Sequence, residues 1–130
     1  MTLLITDLFA KTSEMELKDF DGNGTGITVK LVGQDSRQFK EGELKMARYI
    51  GKKPAEITEE EVKSIMKIKL DTAISLIVGW SNDTAFGGAY SVELAQSTFA
   101  QPEAAILLSQ IEAYVGERAN FFRTSKAATE

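Results

Sequence analysis

The chain has 130 residues, 43% of them hydrophobic and 26% charged, a balance typical of one globular domain with its own hydrophobic core. Its net charge of −4 argues against a nucleic-acid-binding protein, because such a protein needs a basic surface to contact phosphates. Histidine and cysteine are absent, which excludes disulfide bonds, structural zinc centres with these ligands, and catalysis by either side chain.

The start of the chain predicts neither a secretory signal nor a membrane anchor. The sequence MTLLITDLFAKT has no basic beginning, and its apolar run is too short for a signal peptide. The longest core-like apolar run, AISLIVGW at residues 73–80, is far shorter than the ~20 residues that a membrane span needs. We therefore expect a soluble cytoplasmic protein with neither membrane nor nucleic acid among its partners.

The first feature along the chain is the glycine-rich stretch DFDGNGTG at residues 19–26. Short alternating apolar patterns flank it: Met15 and Leu17, with Phe20 as a third candidate, come before it, and Ile27, Val29 and Leu31 follow. Such alternation is typical of β-strands, and Asp, Asn and Gly favour the turn between them. The pattern predicts a β-hairpin, whose turn could also contact a partner. If Gly24 has a positive φ, its replacement by Val should damage this hairpin, and otherwise the replacement should leave the hairpin intact.

Two other interpretations of residues 19–26 fail on their context. An EF-hand calcium loop needs a bidentate Glu at its twelfth position, where this chain has Val32. A dinucleotide-binding loop opens a helix, whereas these glycines lead into the strand-like sequence ITVKLV. The turn is therefore the preferred interpretation.

Four helices are predicted after the hairpin. The first follows a cap at Asp35 or Ser36 and ends at Gly51. The second begins at Thr58, which forms a T-x-x-E capping box with the acid three residues later, and should continue for about 21 residues to Gly79. After a loop at residues 81–90, the third helix covers VELAQSTFA behind a Ser91 cap, and the fourth runs from Pro102 to the paired phenylalanines.

The last helix carries a wide apolar face, spread over about 180° where ~100° is enough to face one core. The residues of this face form the candidate partner or oligomer surface: Ile106, Leu107, Ile111, Tyr114, Val115, Phe121 and Phe122. The same width would also arise if the domain packed around this helix on two sides. The sequence leaves both alternatives open.

The expected fold class is mainly α (α+β), with an N-terminal β-hairpin followed by a bundle of about four helices. We expect a single domain over residues 1–123. The remaining residues, 124–130, lack apolar periodicity and are expected to be disordered.

Charged clusters in the sequence have structural interpretations. Glu59, Glu60 and Glu61 fall in the first turn of the second helix, where the helix dipole favours negative charge. A basic cluster of Lys45, Arg48, Lys52 and Lys53 belongs to the end of the first helix. Because no nucleophile or base has a recognisable partner, we predict no catalytic, cofactor-binding or metal-binding residues and no enzyme activity.

Several short motifs together resemble those of one known protein family. They are ITVKLVGQDS after the hairpin, VGW at the end of the central helix, YSVELAQSTFAQ after the loop, and QIEAYVGERANFF near the end. Together they resemble the tail assembly chaperones of long-tailed (siphovirus) bacteriophages, from about Leu17 to Lys126. None of these motifs carries chemistry.

The resemblance implies a mostly helical protein that self-associates and keeps the phage tape measure protein soluble during tail morphogenesis. Such a protein acts in the cytoplasm of the host bacterium and is absent from the mature virion. A longer product of the same gene, made by ribosomal frameshifting, would contact the major tail protein. The alternative function is a structural tail component, such as a tail completion or tube protein.

Overall fold

A computed structural model describes residues 3–122 and confirms the α+β fold class. The strands are β1 (Ser13–Lys18), β2 (Gly24–Leu31) and β3 (Ile77–Trp80), which form one antiparallel sheet in the order β1-β2-β3. The helices are α1 (Arg37–Met46), α2 (Glu59–Ser75), α3 (Asp83–Phe86), α4 (Val92–Phe99) and α5 (Ala105–Val115). The predicted tail, residues 124–130, lies outside the described residues.

The N-terminal hairpin forms as the alternating pattern predicts. Met15 pairs with Val29 across the two strands, and both side chains are buried, as is that of Leu17. The prediction for Phe20 was wrong, because its side chain is 90% exposed. Phe20 lies after β1 has ended, where the alternation of the strand no longer determines which way a side chain points.

The turn of the hairpin uses an acidic side chain to satisfy its own backbone. Oδ1 of Asp19 accepts hydrogen bonds from the backbone N–H groups of Asp21 and Asn23, each at 2.9 Å. Gly22 has a φ of 87°, a left-handed conformation that glycine adopts without steric cost. An aspartate that bonds the backbone a few residues on is a common turn device.

Gly24 lies against the end of an acidic side chain. Its φ is not in the positive range, unlike those of Gly22 and Gly26. A Cβ at Gly24 would lie 2.7 Å from Oε1 of Glu16, whose other carboxylate oxygen accepts the N–H of Gly26 at 2.7 Å. The close approach of the Glu16 side chain therefore accounts for a glycine at position 24. The backbone conformation of Gly24 does not require one.

Replacing Gly22 with Ala is expected to lower the free energy of unfolding by about 1–2 kcal/mol, the cost of a left-handed conformation for a residue with a Cβ. The control Gly24→Ala should cost less, because the Glu16 side chain is partly exposed and can rotate away. Urea denaturation followed by circular dichroism measures both values. Equal losses for the two variants would contradict this account of the turn.

The prediction that the sequence VGW ends the central helix was wrong. The helix α2 ends at Ser75, and Ile77–Trp80 forms β3, in which Trp80 pairs with Val29 and Ile77 with Leu31. The segment Ile-Val-Gly-Trp has high β-propensity, and Gly79 is unfavourable in a helix. Pairing with β2 therefore overrides the helical spacing of the apolar residues.

The last predicted helix is also shorter than expected. A short 3-10 turn (Pro102–Ala104) leads into α5, which ends at Val115, and a second turn (Arg118–Phe121) follows. Gly116 interrupts the run because glycine lowers helix stability by about 1 kcal/mol relative to alanine.

Three helix starts after the hairpin were predicted from a Ser or Thr cap. The structure confirms all three. The side chains of Ser36, Thr58 and Ser91 each accept the backbone N–H of the residue three positions later. Asp35, the other candidate for the first cap, instead binds Arg118 through two hydrogen bonds of 2.9 and 3.1 Å. This pair links the start of α1 to the turn after α5.

One hydrophobic cluster connects the inner face of the sheet to the helices. Its largest fully buried side chains come from all parts of the fold: Val29, Leu31, Ile77, Phe99, Ile111 and Phe121. The outer face of the sheet is polar, with Glu14 opposite Lys30. The core therefore lies between the sheet and the helices, while α1 packs on the outer part of α2.

Candidate functional site

The helices α1 and α2 are in close contact at one point. Gly42, in the middle of α1, is buried against Thr72 of α2, and a Cβ at Gly42 would lie 2.6 Å from Cγ2 of Thr72. Only a glycine lets the two backbones approach this closely. The close crossing leaves a depression on each side of α1, one apolar and one polar.

The apolar depression, which we call the α1–α2 groove, has a volume of about 450 Å³. Volumes of ~300–1,000 Å³ are typical of ligand-binding clefts. The end of α5 closes one side of the groove. Its apolar lining comes from three helices and the segment after α1: Phe39, Met46, Ile50, Ala73, Leu76 and Val115.

Exposed apolar side chains extend the α1–α2 groove along the surface. Ile50, in its lining, is 77% exposed. Val62 and Met66 are also exposed, and they lie eleven and seven residues before Ala73 on α2. Residues at these spacings share one face of a helix. The groove therefore continues toward the start of α2 as an exposed apolar strip.

Charged side chains stand around the apolar lining. Glu43 of α1, Lys69 of α2 and Glu112 of α5 each line the groove. The Glu43 carboxylate also lies 3.7 Å from Nζ of Lys40, in an ion pair that is exposed to solvent. The groove thus presents an apolar centre with one basic and two acidic groups, an arrangement suited to an amphipathic segment.

An ion pair fixes the segment that carries Ile50. Nζ of Lys52 donates to Oε2 of Glu61 at 2.6 Å, which ties the segment after α1 to the first turn of α2. The hydrogen bond from Lys52 and the backbone N–H of Thr58 hold the pKa of Glu61 below its ordinary value. This contact positions the open end of the α1–α2 groove.

The polar depression on the other side of α1 has a volume of about 620 Å³. Lys45 and Arg48, from the predicted basic cluster, line it together with Lys67 and Asp71. Lys67 pairs with Oδ2 of Asp71 at 3.0 Å, one helical turn away, while Oδ1 of Asp71 is buried without a hydrogen-bond partner. The second depression is therefore polar, and its ion pair is of the i,i+4 type that is common on helix surfaces.

At each edge of the sheet a side chain bonds to the backbone of the edge strand. The amide of Gln110 accepts the N–H of Lys18 at 2.8 Å and donates to its carbonyl at 3.0 Å, as a neighbouring strand would. On β3, the hydroxyl of Tyr90 donates to the carbonyl of Ile77 at 2.8 Å, and burial raises the pKa of Tyr90. Partner binding by strand addition is therefore not favoured.

The candidate surface predicted on the last helix divides into three groups. Ile111, Val115 and Phe121 are buried in the core of the chain itself, which corresponds to the alternative of a helix enclosed by its own domain. Leu107 and Tyr114 are partly buried against that core. Only Ile106 and Phe122 are substantially exposed, at 48% and 42%. A partner contact at these two positions stays a prediction.

Sequence patterns identified some groove residues but not the groove. Phe39 and Met46 lie in the first predicted helix and line the groove, but the predicted end of that helix at Gly51 was wrong, because α1 ends at Met46 and Ile50 is extended. The crossing of α1 and α2 was missed because it depends on residues thirty positions apart. Gly42 was the available signal, since a glycine inside a helix often marks close packing.

Residues 3–122 contain no group of three or more acidic side chains arranged to hold a metal ion. Within the same range, none of the helices has the length and apolar character needed to cross a membrane.

Comparisons with protein families, with curated proteins and with solved structures found no match for this chain. The fold and the groove define an α+β protein with an apolar helical surface. The likeness to phage tail assembly chaperones rests on the sequence motifs alone and stays a prediction.

Proposed function

We propose that this protein is a tail assembly chaperone of a long-tailed bacteriophage, which holds helical segments of the tape measure protein in the α1–α2 groove. The observation that carries the proposal is the apolar lining of this groove and its exposed continuation through Ile50, Met66 and Val62. The resemblance of the motifs between Leu17 and Lys126 supports the choice of client.

The groove suits recognition of an amphipathic helix. Such a helix places apolar residues at spacings of three and four into a hydrophobic groove of its partner. Burial of a side chain such as Ile50 or Met66 contributes about 1.5–3 kcal/mol, so each site alone would bind weakly. A long client with many such segments would bind several copies along its length. The net charge of −4 favours solubility of these assemblies.

Self-association, action in the host cytoplasm and absence from the mature virion are parts of the same proposal. A frameshifted longer product would add contacts to the major tail protein. Stoichiometric amounts of this chain in purified virions would contradict the proposal and favour a structural tail component instead.

Co-expression with the tape measure protein of the same phage tests the proposed client. The double variant Ile50→Glu/Met66→Glu, which we call the groove variant, is expected to fold but to leave most of the client insoluble. Both side chains are exposed, so charges at these positions should not disturb the core. The measurement is the soluble fraction of the client after centrifugation.

The matched control is Phe20→Glu/Val92→Glu, which places the same two charges on side chains that are 90% and 67% exposed and outside the groove. This variant should keep the client as soluble as the wild-type chain does. A wild-type chain that fails to solubilise the client, or a groove variant that succeeds, would overturn the proposed function.

A further inference from the structure

The most exposed apolar segment of the described chain is residues 3–9, which we call the arm. Five of its seven side chains are large and apolar, and each is between 57% and 70% exposed: Leu3, Leu4, Ile5, Leu8 and Phe9. Soluble proteins rarely leave a contiguous apolar patch uncovered unless it binds something. Neither the hairpin nor the helices of the same chain cover these side chains.

The arm is an ordered turn. Oδ2 of Asp7 accepts the N–H of Leu4 at 3.0 Å, and the backbone forms a 3-10 turn over Ile5–Leu8. Nζ of Lys11 donates to the carbonyl of Asp7 at 3.3 Å, and the N–H of Lys11 donates to the carbonyl of Phe121 at 2.7 Å. A preformed segment loses less conformational entropy when it binds, which favours its use as a ligand.

We propose that the arm of one copy binds in the α1–α2 groove of a second copy of this chain. The apolar side chains of the arm match the apolar lining of the groove, and within residues 3–122 no segment of the same chain fills the groove or buries the arm. Charges also match, because the arm carries Asp7 and is followed two residues later by Lys11, while the groove presents Lys69 beside Glu43 and Glu112.

A second copy is favoured over the chain's own groove. The N–H of Lys11 bonds the carbonyl of Phe121, which ties the chain just after the arm to the turn after α5, and none of residues 3–9 lines the groove of its own chain. Binding in a second copy keeps the turn intact and brings together two uncovered apolar surfaces. Because the arm and the groove are different surfaces, the contact is head-to-tail, and repetition of it produces rings or filaments.

A mixing experiment tests this arrangement. The arm variant Leu4→Asp/Leu8→Asp keeps an intact groove, and the groove variant keeps an intact arm. Each variant alone should be monomeric, whereas the wild-type chain should be larger than a monomer. An equimolar mixture of the two variants should form a one-to-one dimer, because it contains a single type of compatible arm and groove. Sedimentation velocity measures the sizes, and circular dichroism verifies folding.

Phe20→Asp/Val92→Asp is the matched control, since it adds two charges at exposed apolar side chains outside both surfaces. It should assemble as the wild-type chain does. A labelled peptide of residues 3–11 should bind the arm variant and not the groove variant. The proposal is overturned by a monomeric wild-type chain, by an arm or groove variant that assembles normally, or by a mixture that stays monomeric. The experiment contains no client, so binding of the tape measure protein is tested separately by the solubility experiment, and only the self-association part of the proposed function depends on this outcome.

Discussion

Replacing Ile111 with Asp is expected to leave most of the protein unfolded. The side chain of Ile111 is fully buried in the core, on the inner face of α5. Loss of a buried isoleucine costs about 2–5 kcal/mol, and an unpaired buried carboxylate adds a further penalty. The total approaches the whole free energy of unfolding of a typical domain, which is about 5–15 kcal/mol.

The control for this variant lies on the same helix. Ile106→Asp introduces the same carboxylate in place of the same residue type, but at a position that is 48% exposed. It should retain the circular dichroism spectrum and the cooperative thermal transition of the wild-type chain. Similar behaviour of the two variants would contradict the division of the last helix into core and surface residues. Reduced oligomer size for folded Ile106→Asp would add α5 to the self-association surface.

Replacing Gly42 with Ala is expected to destabilise the protein by about 1–3 kcal/mol, the usual cost of overpacking. This expectation opposes the intrinsic preference of helices, in which alanine is about 1 kcal/mol more favourable than glycine. The added methyl group would lie 2.6 Å from Cγ2 of Thr72, so α1 must move away from α2. Movement of α1 would also change the width of the α1–α2 groove.

Urea denaturation of a double-mutant cycle measures this effect. The variant Thr72→Ala removes the atoms that a new methyl group would meet most closely, so Gly42→Ala should cost less in that background. Gly79→Ala is the control, because a Cβ at Gly79 would meet Lys30 at an ordinary 3.6 Å. A Gly42→Ala variant that is more stable than the wild-type chain would show that the two helices do not cross this closely.

The two proposals place different ligands in one groove. A client helix and the arm of a second copy cannot occupy the same apolar lining at once, so the client would compete with self-association. Together the proposals imply that the chain forms arm-linked assemblies when no client is present. Binding of the client would displace the arm from the groove and separate these assemblies. The mixing experiment and the solubility experiment examine the two ligands separately, because only the second contains the client.

Features set by neighbouring residues could be predicted from the sequence. The caps at Ser36, Thr58 and Ser91 depend on hydrogen bonds that reach three residues along the chain. The hairpin depends on alternating side chains and a turn sequence within about twenty residues, and it also formed as expected. Local patterns are sufficient here because each interaction joins groups that are close together in the sequence.

The sequence by itself determined the fold class, the hairpin and the starts of the main helices. Tertiary structure decided that Ile77–Trp80 is a strand, because its hydrogen bonds come from β2, almost fifty residues earlier. It also decided which apolar residues after Ile106 are buried, and it created the groove where Gly42 meets Thr72. Strand pairing, side-chain burial and helix crossing all depend on contacts between distant segments, which no local spacing of residues specifies.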